Sequence, residues 1–349
     1  MPFSQHSHSG EFCAHAKGTL EEVVLTAIEL GFRIYGLSEH CPRYREEDLY
    51  PEEQEANLTP RLLHTRFTSF LEEAHRLKEI YADQITLLVG LETEYITPTD
   101  LEGLGALIET HGDQIEYMVG GVHHVRGMPI DFDRETWEEC VRSFDSDEYD
   151  DGFTGRERSL AGGTYSDSAL SAFLCAYFDA QYTLISIVRP SIIAHMDLCR
   201  LYAPSLRFAD FPEVWERVER NVRVASDYGA LFEANAAAFR KGWEDAYPGS
   251  DVLQLILRLG GRLTLSDDSH GPHAVGLNYP RLRTYLLDQG VTELWHLSYK
   301  PSIQGIEQGE MPEECKFWER FGWEPSVYAT RVYGEWWRLG FWDGDLPET

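Results

Sequence analysis

Basic residues are scarce in this chain. Its 349 residues include 30 Lys and Arg against 59 Asp and Glu, a formal charge of −29 at neutral pH. A nucleic-acid binder needs a basic face to neutralise phosphates. No Lys/Arg cluster occurs, so nucleic acid is not an expected partner. The same charge repels phosphorylated molecules at long range. A phosphate binder built on this chain therefore needs strong local positive charge, from metal ions or converging arginines. Long apolar runs are missing as well. No stretch of about 18 apolar residues is present, so no membrane span is expected. The segment Met1 to Gly18 lacks the basic-then-apolar pattern of a secretion signal. The six cysteines (Cys13, Cys41, Cys140, Cys175, Cys199 and Cys315) form no C-x-x-C pair. That argues against a zinc ribbon or a thioredoxin-like site and fits reduced thiols in a cytoplasmic protein.

What is present suffices for a large core: 43% of residues are hydrophobic and 13% aromatic. The pattern along the chain alternates. Residues 3–8 read as a strand. Thr19 with Glu22 forms a capping box, and Leu20, Val23, Val24, Ala27 and Ile28 mark one helical face behind it. Gly31 ends that helix and a strand runs from Phe32 to Leu37. Helices are expected near 59–81, 101–111, 166–187, 211–227 and 250–259. Strands are expected near 85–91, 116–122, 191–194, 230–234 and 262–266. Seven strands separated mostly by helices argue for an α/β fold with a parallel sheet. Residues 144–165, rich in Asp and Glu, read as an acidic loop inserted in this series. The segment 301–349 carries Trp318, Trp323, Trp336, Trp337 and Trp342 and reads as an extension packed on the 1–300 domain through aromatics.

Alternation alone does not close a sheet into a barrel. The strand ends favour closure, because nearly every one finishes in a residue able to bind a metal ion: His6 and His8, His40, Glu92, His123, His195, and Asp268 with His270. In α/β barrels the chemistry sits at the carboxyl ends of the strands. His6 and His8, two apart in an extended segment, face the same side. His15 follows in the loop before the first helix. Of the adjacent pair His123 and His124, only one can point to the barrel centre. A carboxylate such as Glu92 can bridge two cations, one oxygen to each. Mixed imidazole and carboxylate sets suit Zn, Fe or Mn.

The ordered set H-x-H, S-E-H at 38–40, G-L-E at 90–92, G-V-H at 121–123, A-H-M-D at 194–197 and D-S-H at 268–270 resembles the polymerase-and-histidinol-phosphatase (PHP) family. Within it, G-L-S-E-H, G-G-V-H-H-V and H-M-D-x-x-R are similar to the fungal-like histidinol-phosphate phosphatase branch. The resemblance implies a distorted seven-stranded (β/α)7 barrel and a site for three divalent metal ions. One ion would be held by His6, His8, Glu92 and Asp268. A second would share Glu92 with His123 and His195, and a third would take His15, His40 and His270. It further implies hydrolysis of L-histidinol phosphate, a step of histidine biosynthesis, by attack of a metal-bridging hydroxide. Glu92, Asp268 and His270 would belong to the catalytic machinery, and Arg200 and Arg240 would clamp the phosphate. Glu94, Asp131 and Glu233 are candidates for the substrate's amino group and imidazole.

Three other readings remain open at this point. The chain could be a PHP phosphoesterase on a nucleotide or sugar phosphate. It could be a metal-dependent hydrolase of a C–N or ester bond, or an interaction protein with a degenerate site, although all nine ligand positions hold the expected residue type.

Overall fold

The computed structural model describes residues 2–145, 165–299, 320–344 and 346–349. It begins with two short extended pieces, β1 (Phe3–Ser4) and β2 (Ser7–His8), both buried. α1 (Leu20–Glu29) starts at the capping box read from the sequence. The Thr19 side chain accepts the Glu22 N–H at 3.2 Å, and Glu22 accepts the Thr19 N–H at 2.7 Å. Then come β3 (Ile34–Leu37), α2 (Pro51–Glu55), α3 (Pro60–Ile80), β4 (Thr86–Thr93), α4 (Pro98–His111) and β5 (Tyr117–Gly120). β6 (His124–Val125) and β7 (Met128–Pro129) form a small antiparallel pair. α5 (Arg134–Arg142), α6 (Asp167–Val188), β8 (Ile192–Ile193), α7 (Pro212–Asp227), β9 (Leu231–Asn235) and the one-turn α8 (Ala237–Arg240) follow. The series ends with α9 (Ser250–Arg258), β10 (Arg262–Ser266), β11 (Ser269–His270), α10 (Tyr279–Asp288), β12 (Trp295–Tyr299) and β13 (Val327–Arg331).

Seven strands pair in the order β1-β3-β4-β5-β8-β9-β10, parallel throughout. The two ends of this sheet meet. The Gln5 N–H donates to the Leu265 carbonyl at 3.2 Å, and β2 lies parallel to β11, with His8 opposite His270. The fold is thus the distorted, nearly closed seven-stranded α/β barrel expected. The single strand expected at 3–8 is two pieces, because the backbone changes partner from β3 to β11 between Ser4 and Ser7. That change brings the first and last ligand-bearing segments side by side.

Tyr117 crosses the barrel interior and its hydroxyl donates to the Gln5 carbonyl at 2.9 Å. Space for it is made by glycine: a Cβ on Gly36 would meet the Tyr117 hydroxyl, and one on Gly90 would lie 2.5 Å from the Tyr117 ring. Helices cover the outside and bury apolar residues beneath them, among them Phe173, Phe178 and Leu184 of α6 and Val214, Val218 and Val222 of α7. α6 is long and apolar enough by length and composition alone to cross a membrane, although Asp179 and Gln181 interrupt its apolar run. Half of its most apolar window is buried within the protein, and Asn221 of α7 donates to the Phe178 carbonyl at 2.8 Å.

The acidic insertion lies almost wholly outside the described residues, as does Trp318. Of the remaining tail tryptophans, Trp323 donates to the Ile115 carbonyl at 2.9 Å, and Trp342 packs on Tyr279 of α10, with ring centroids 6.1 Å apart. β12 and β13 pair across the boundary expected near residue 300, so a ladder of hydrogen bonds joins tail and barrel.

Candidate metal centre

Each barrel strand ends at the same side of the molecule, and the candidate ligands gather there. Glu92, near the end of β4, is 1% exposed and lies at the centre. Its Oε2 is 3.2 Å from His6 Nε2, 3.4 Å from His8 Nε2 and 2.9 Å from His40 Nδ1. Its Oε1 is 3.2 Å from His123 Nε2 and 3.0 Å from His195 Nε2. One carboxylate oxygen thus faces each of two imidazole groups. His6 Nε2 and His8 Nε2 stand 3.0 Å apart, and His123 Nε2 and His195 Nε2 stand 3.2 Å apart. Asp268 Oδ1 is 3.7 Å from His6 Nε2 and 3.6 Å from His8 Nε2. Asp268 takes φ +46°, a left-handed conformation uncommon outside glycine, which turns it inward at the end of β10. His15, His40 and His270 form a third corner, their donor atoms within 4.8 Å of one another and of Cys13 Sγ. All nine residues named from the sequence therefore meet in one place.

The donor chemistry fits divalent cations. Imidazole nitrogens face each other at hydrogen-bond distance around two buried carboxylates. His40 Nε2 and His195 Nδ1 are buried with no hydrogen-bond partner among the described residues. Donors grouped as His6–His8–Glu92, Glu92–His123–His195 and His15–His40–His270, with Asp268 beside His8 and His270, are the nitrogen and oxygen sets that zinc and its neighbours take.

An outer ring of acids orients these imidazoles. Glu233 Oε1 lies 2.6 Å from His6 Nδ1, and its Oε2 accepts the His195 backbone N–H at 2.9 Å. Glu94 Oε2 lies 2.9 Å from His123 Nδ1 and 3.2 Å from His124 Nδ1. Glu39 lies 3.3 Å from His8 Nδ1 and accepts the Ser9 N–H at 2.7 Å. A carboxylate on one ring nitrogen aims the other inward and raises its basicity. This corrects the reading of Glu94 and Glu233 as substrate-recognition groups, since both are turned to the histidines. Glu94 follows Glu92 by two residues, the strand period that puts both on one face. Glu233 lies on β9, the barrel strand that brings none of the nine. Those were the available signals.

Burial opposes charge on His6, His8, His123 and Glu92, and their neighbours work against that opposition. Despite burial, Glu92, Glu233 and Asp268 raise His6 well above the usual imidazole range. Against the same opposition, Glu39 and Glu92 bring His8 up to about 9, and Glu92 and Glu94 raise His123. In return Glu92 is held well below the carboxylate range by His6, His123 and His40. In the third corner the balance reverses: burial, then the charge on His8, push His40 and His270 well below the usual range.

The cleft above these residues has a volume of about 320 Å³. Lys17, Arg240, Lys241 and His273 line it, with Tyr50, Glu52, Asp131 and Phe132 also in its wall. Arg240 is where a phosphate clamp would be, and its Nη2 lies 3.5 Å from the Asp268 carbonyl. Lys17 and Lys241 were not singled out from the sequence, although each stands within two residues of a named site residue. Arg200 corrects an expectation. Its guanidinium is buried and saturated, with Nη2 2.6 Å from Asp197 and 2.7 Å from Asp251, and Nη1 donating to the Leu206 carbonyl at 2.8 Å. The H-M-D-x-x-R motif is an internal brace, with no donor left for a phosphate in the cleft.

Two outcomes follow from this geometry. Arg200→Ala strands the buried Asp197 carboxylate and is expected to destabilise the fold by about 3–5 kcal/mol. Denaturant unfolding measures this; unchanged stability with a raised KM would restore a phosphate-binding role. Protons on His6, His8 and His123 occupy the places of cations, so metal loading must release them. Zinc affinity of the stripped protein is therefore expected to rise between pH 6 and pH 9, with proton release visible by calorimetry in buffers of different ionisation enthalpy. Affinity independent of pH would contradict it.

The PHP domain matches residues 4–237. The chain is 42% identical over 308 residues to a probable histidinol-phosphatase of Schizosaccharomyces pombe, covering 87% of this chain and 92% of that protein. It is 30% identical over 341 residues to the histidinol-phosphatase of Saccharomyces cerevisiae, covering 89% and 93%. The fold is shared with a histidinol phosphate phosphatase of Lactococcus lactis subsp. lactis, solved with zinc, L-histidinol and phosphate. That likeness has a TM-score of 0.56 at 19% identity over 84% of this chain and 95% of the other. With a family domain spanning most of the barrel and fungal relatives matched over nearly their whole length, the chain belongs to the PHP family, on its fungal-like side.

Proposed function

We infer that this chain is a metal-dependent phosphomonoesterase that hydrolyses L-histidinol phosphate to L-histidinol and inorganic phosphate. The reading draws on two fungal relatives named for that activity and on the Lactococcus neighbour, which holds zinc, L-histidinol and phosphate. The observation that carries it is Glu92, with one oxygen toward His6, His8 and His40 and the other toward His123 and His195. It sits on the floor of a cleft lined by Arg240, Lys17 and Lys241.

Three divalent ions, zinc in preference to iron or manganese, would be held as the sequence reading grouped them. His6, His8, Glu92 and Asp268 would hold one; Glu92, His123 and His195 would hold the second; His15, His40 and His270 would hold the third. Such ions, when bound, polarise phosphoryl oxygens and lower the pKa of water from 15.7 to about 7. The chain's own residues do the rest. Glu39, Glu94 and Glu233 fix the ring orientations. Arg240 offers a planar fork to the phosphate oxygens, and Lys17 and Lys241 add charge at the entrance. Of the three carboxylates considered for the cationic end of the substrate, Asp131 is the one that lines the cleft wall, beside Glu52, since Glu94 and Glu233 are engaged elsewhere. Glu92, Asp268 and His270 all line the cleft, and we assign them to the catalytic machinery. The Trp-rich tail we read as a buttress of the barrel, continuous with it through β12 and β13.

The reading is tested by phosphate release from L-histidinol phosphate beside nucleotide and sugar phosphates, on metal-replete protein. Selective turnover of histidinol phosphate is expected; equal rates across the panel would favour a broader phosphoesterase. His8→Ala and Asp268→Ala are each expected to abolish release and lower bound metal while circular dichroism stays near native. Full activity of either variant, after metal stripping and reconstitution, would overturn the site.

A further inference from the structure

Cys13 stands in the same corner as three of the imidazoles, and nothing in the proposed reaction uses it. Its Sγ lies 3.3 Å from His15 Nε2, and the residue is 6% exposed. One donor atom each from Cys13, His15, His40 and His270 fall within 4.8 Å of one another. The loop that carries Cys13 and His15 is built to present them. The Cys13 N–H donates to the Ser9 carbonyl at 2.9 Å and the Ala16 N–H donates to the Cys13 carbonyl at 3.2 Å. The Lys17 N–H then ties this loop to the His270 carbonyl at 3.1 Å. On the other side, His40 turns Nδ1 to Glu92 at 2.9 Å, and its Nε2 is buried without a hydrogen-bond partner among the described residues.

We propose that the Cys13 thiolate is the fourth ligand of the ion held by His15, His40 and His270. This rests on the metal-centre reading above and adds a sulfur ligand to it. Zinc–sulfur bonds are about 2.3 Å and zinc–nitrogen bonds about 2.0–2.1 Å with tetrahedral donors. Four donors already within 4.8 Å need only a small contraction to share one ion. As the sulfur–metal bond forms, the thiol proton leaves to solvent, and the contact between Cys13 and His15 becomes a shared bond to one ion. Two consequences follow. Sulfur makes this corner softer than the two that carry carboxylates, so it selects zinc over manganese. Four protein ligands also complete a tetrahedral shell, so this ion would take a phosphate oxygen only by expanding to five-coordinate. This ion would thus fasten the 10–17 loop to the strand of His270, at the edge of the cleft that His15, His40 and His270 line.

Cobalt(II) loaded into the metal-stripped full-length chain tests this. Visible ligand-field bands and a near-ultraviolet thiolate-to-cobalt charge-transfer band are expected together. Cys13→Ser should lose the charge-transfer band and keep the visible ones, and Cys41→Ser should keep both. If Cys13→Ser does not fold, zinc-edge X-ray absorption of the unmodified chain decides the matter: a sulfur shell at about 2.3 Å supports the ligand, and a purely nitrogen and oxygen shell overturns it. Visible cobalt bands without charge transfer overturn the Cys13 ligand and leave the metal centre intact. Failure to take up cobalt overturns both.

Discussion

The Glu92 carboxylate is the point from which the rest of the molecule can be reasoned. A buried acid is costly unless its charge is met. Here it is met by imidazoles on four other strand ends, split between its two oxygens. No local segment could supply such partners. They come from residues far apart in sequence, and only a ring of parallel strands brings their carboxyl ends to one spot. The partner change between β1 and β2 serves the same end, because it carries His6 and His8 across the seam to Asp268 and His270. The barrel and the site are in this sense one construction.

Charge is arranged at three distances from that point. Innermost, Glu92 and the imidazoles of His6, His8 and His123 favour one another's charge against the penalty of burial. Next, Glu39, Glu94 and Glu233 hold the outward ring nitrogens, so that the inward ones converge. At the cleft, Lys17, Arg240 and Lys241 present positive charge in a chain whose formal charge is −29. Beyond a Debye length of about 8 Å the acidic surface is largely screened at physiological salt, so the few local cations govern a phosphate that has reached the cleft.

The periodicity was a good guide to the barrel, because its strands are short apolar runs between strongly patterned helices. Capping at Thr19 and the strand of 262–266 stand where the residues placed them. Eight of the nine inner residues were legible because strand ends recur with the same chemistry, and His15, in the loop before α1, was legible through the family resemblance. What stayed hidden was direction. H-M-D-x-x-R names an arginine but not which way it turns, and Asp251, its second partner, lies 51 residues away. Glu94 and Glu233 carry the right charge for a substrate's amino group, and only the folded chain shows their oxygens committed to His123 and His6. Cys13 was passed over as one of six ordinary thiols, since nothing in its spacing announces that a loop will carry it to His15 and His270.

The central claim is that divalent ions sit among these nine side chains. Crystals of the metal-replete protein, measured on either side of the zinc absorption edge, test it most directly. Anomalous peaks are predicted between His6, His8 and Glu92, between Glu92, His123 and His195, and beside His15, His40 and His270. A map with no anomalous density at the floor of the cleft, from protein grown with excess zinc, would contradict the account.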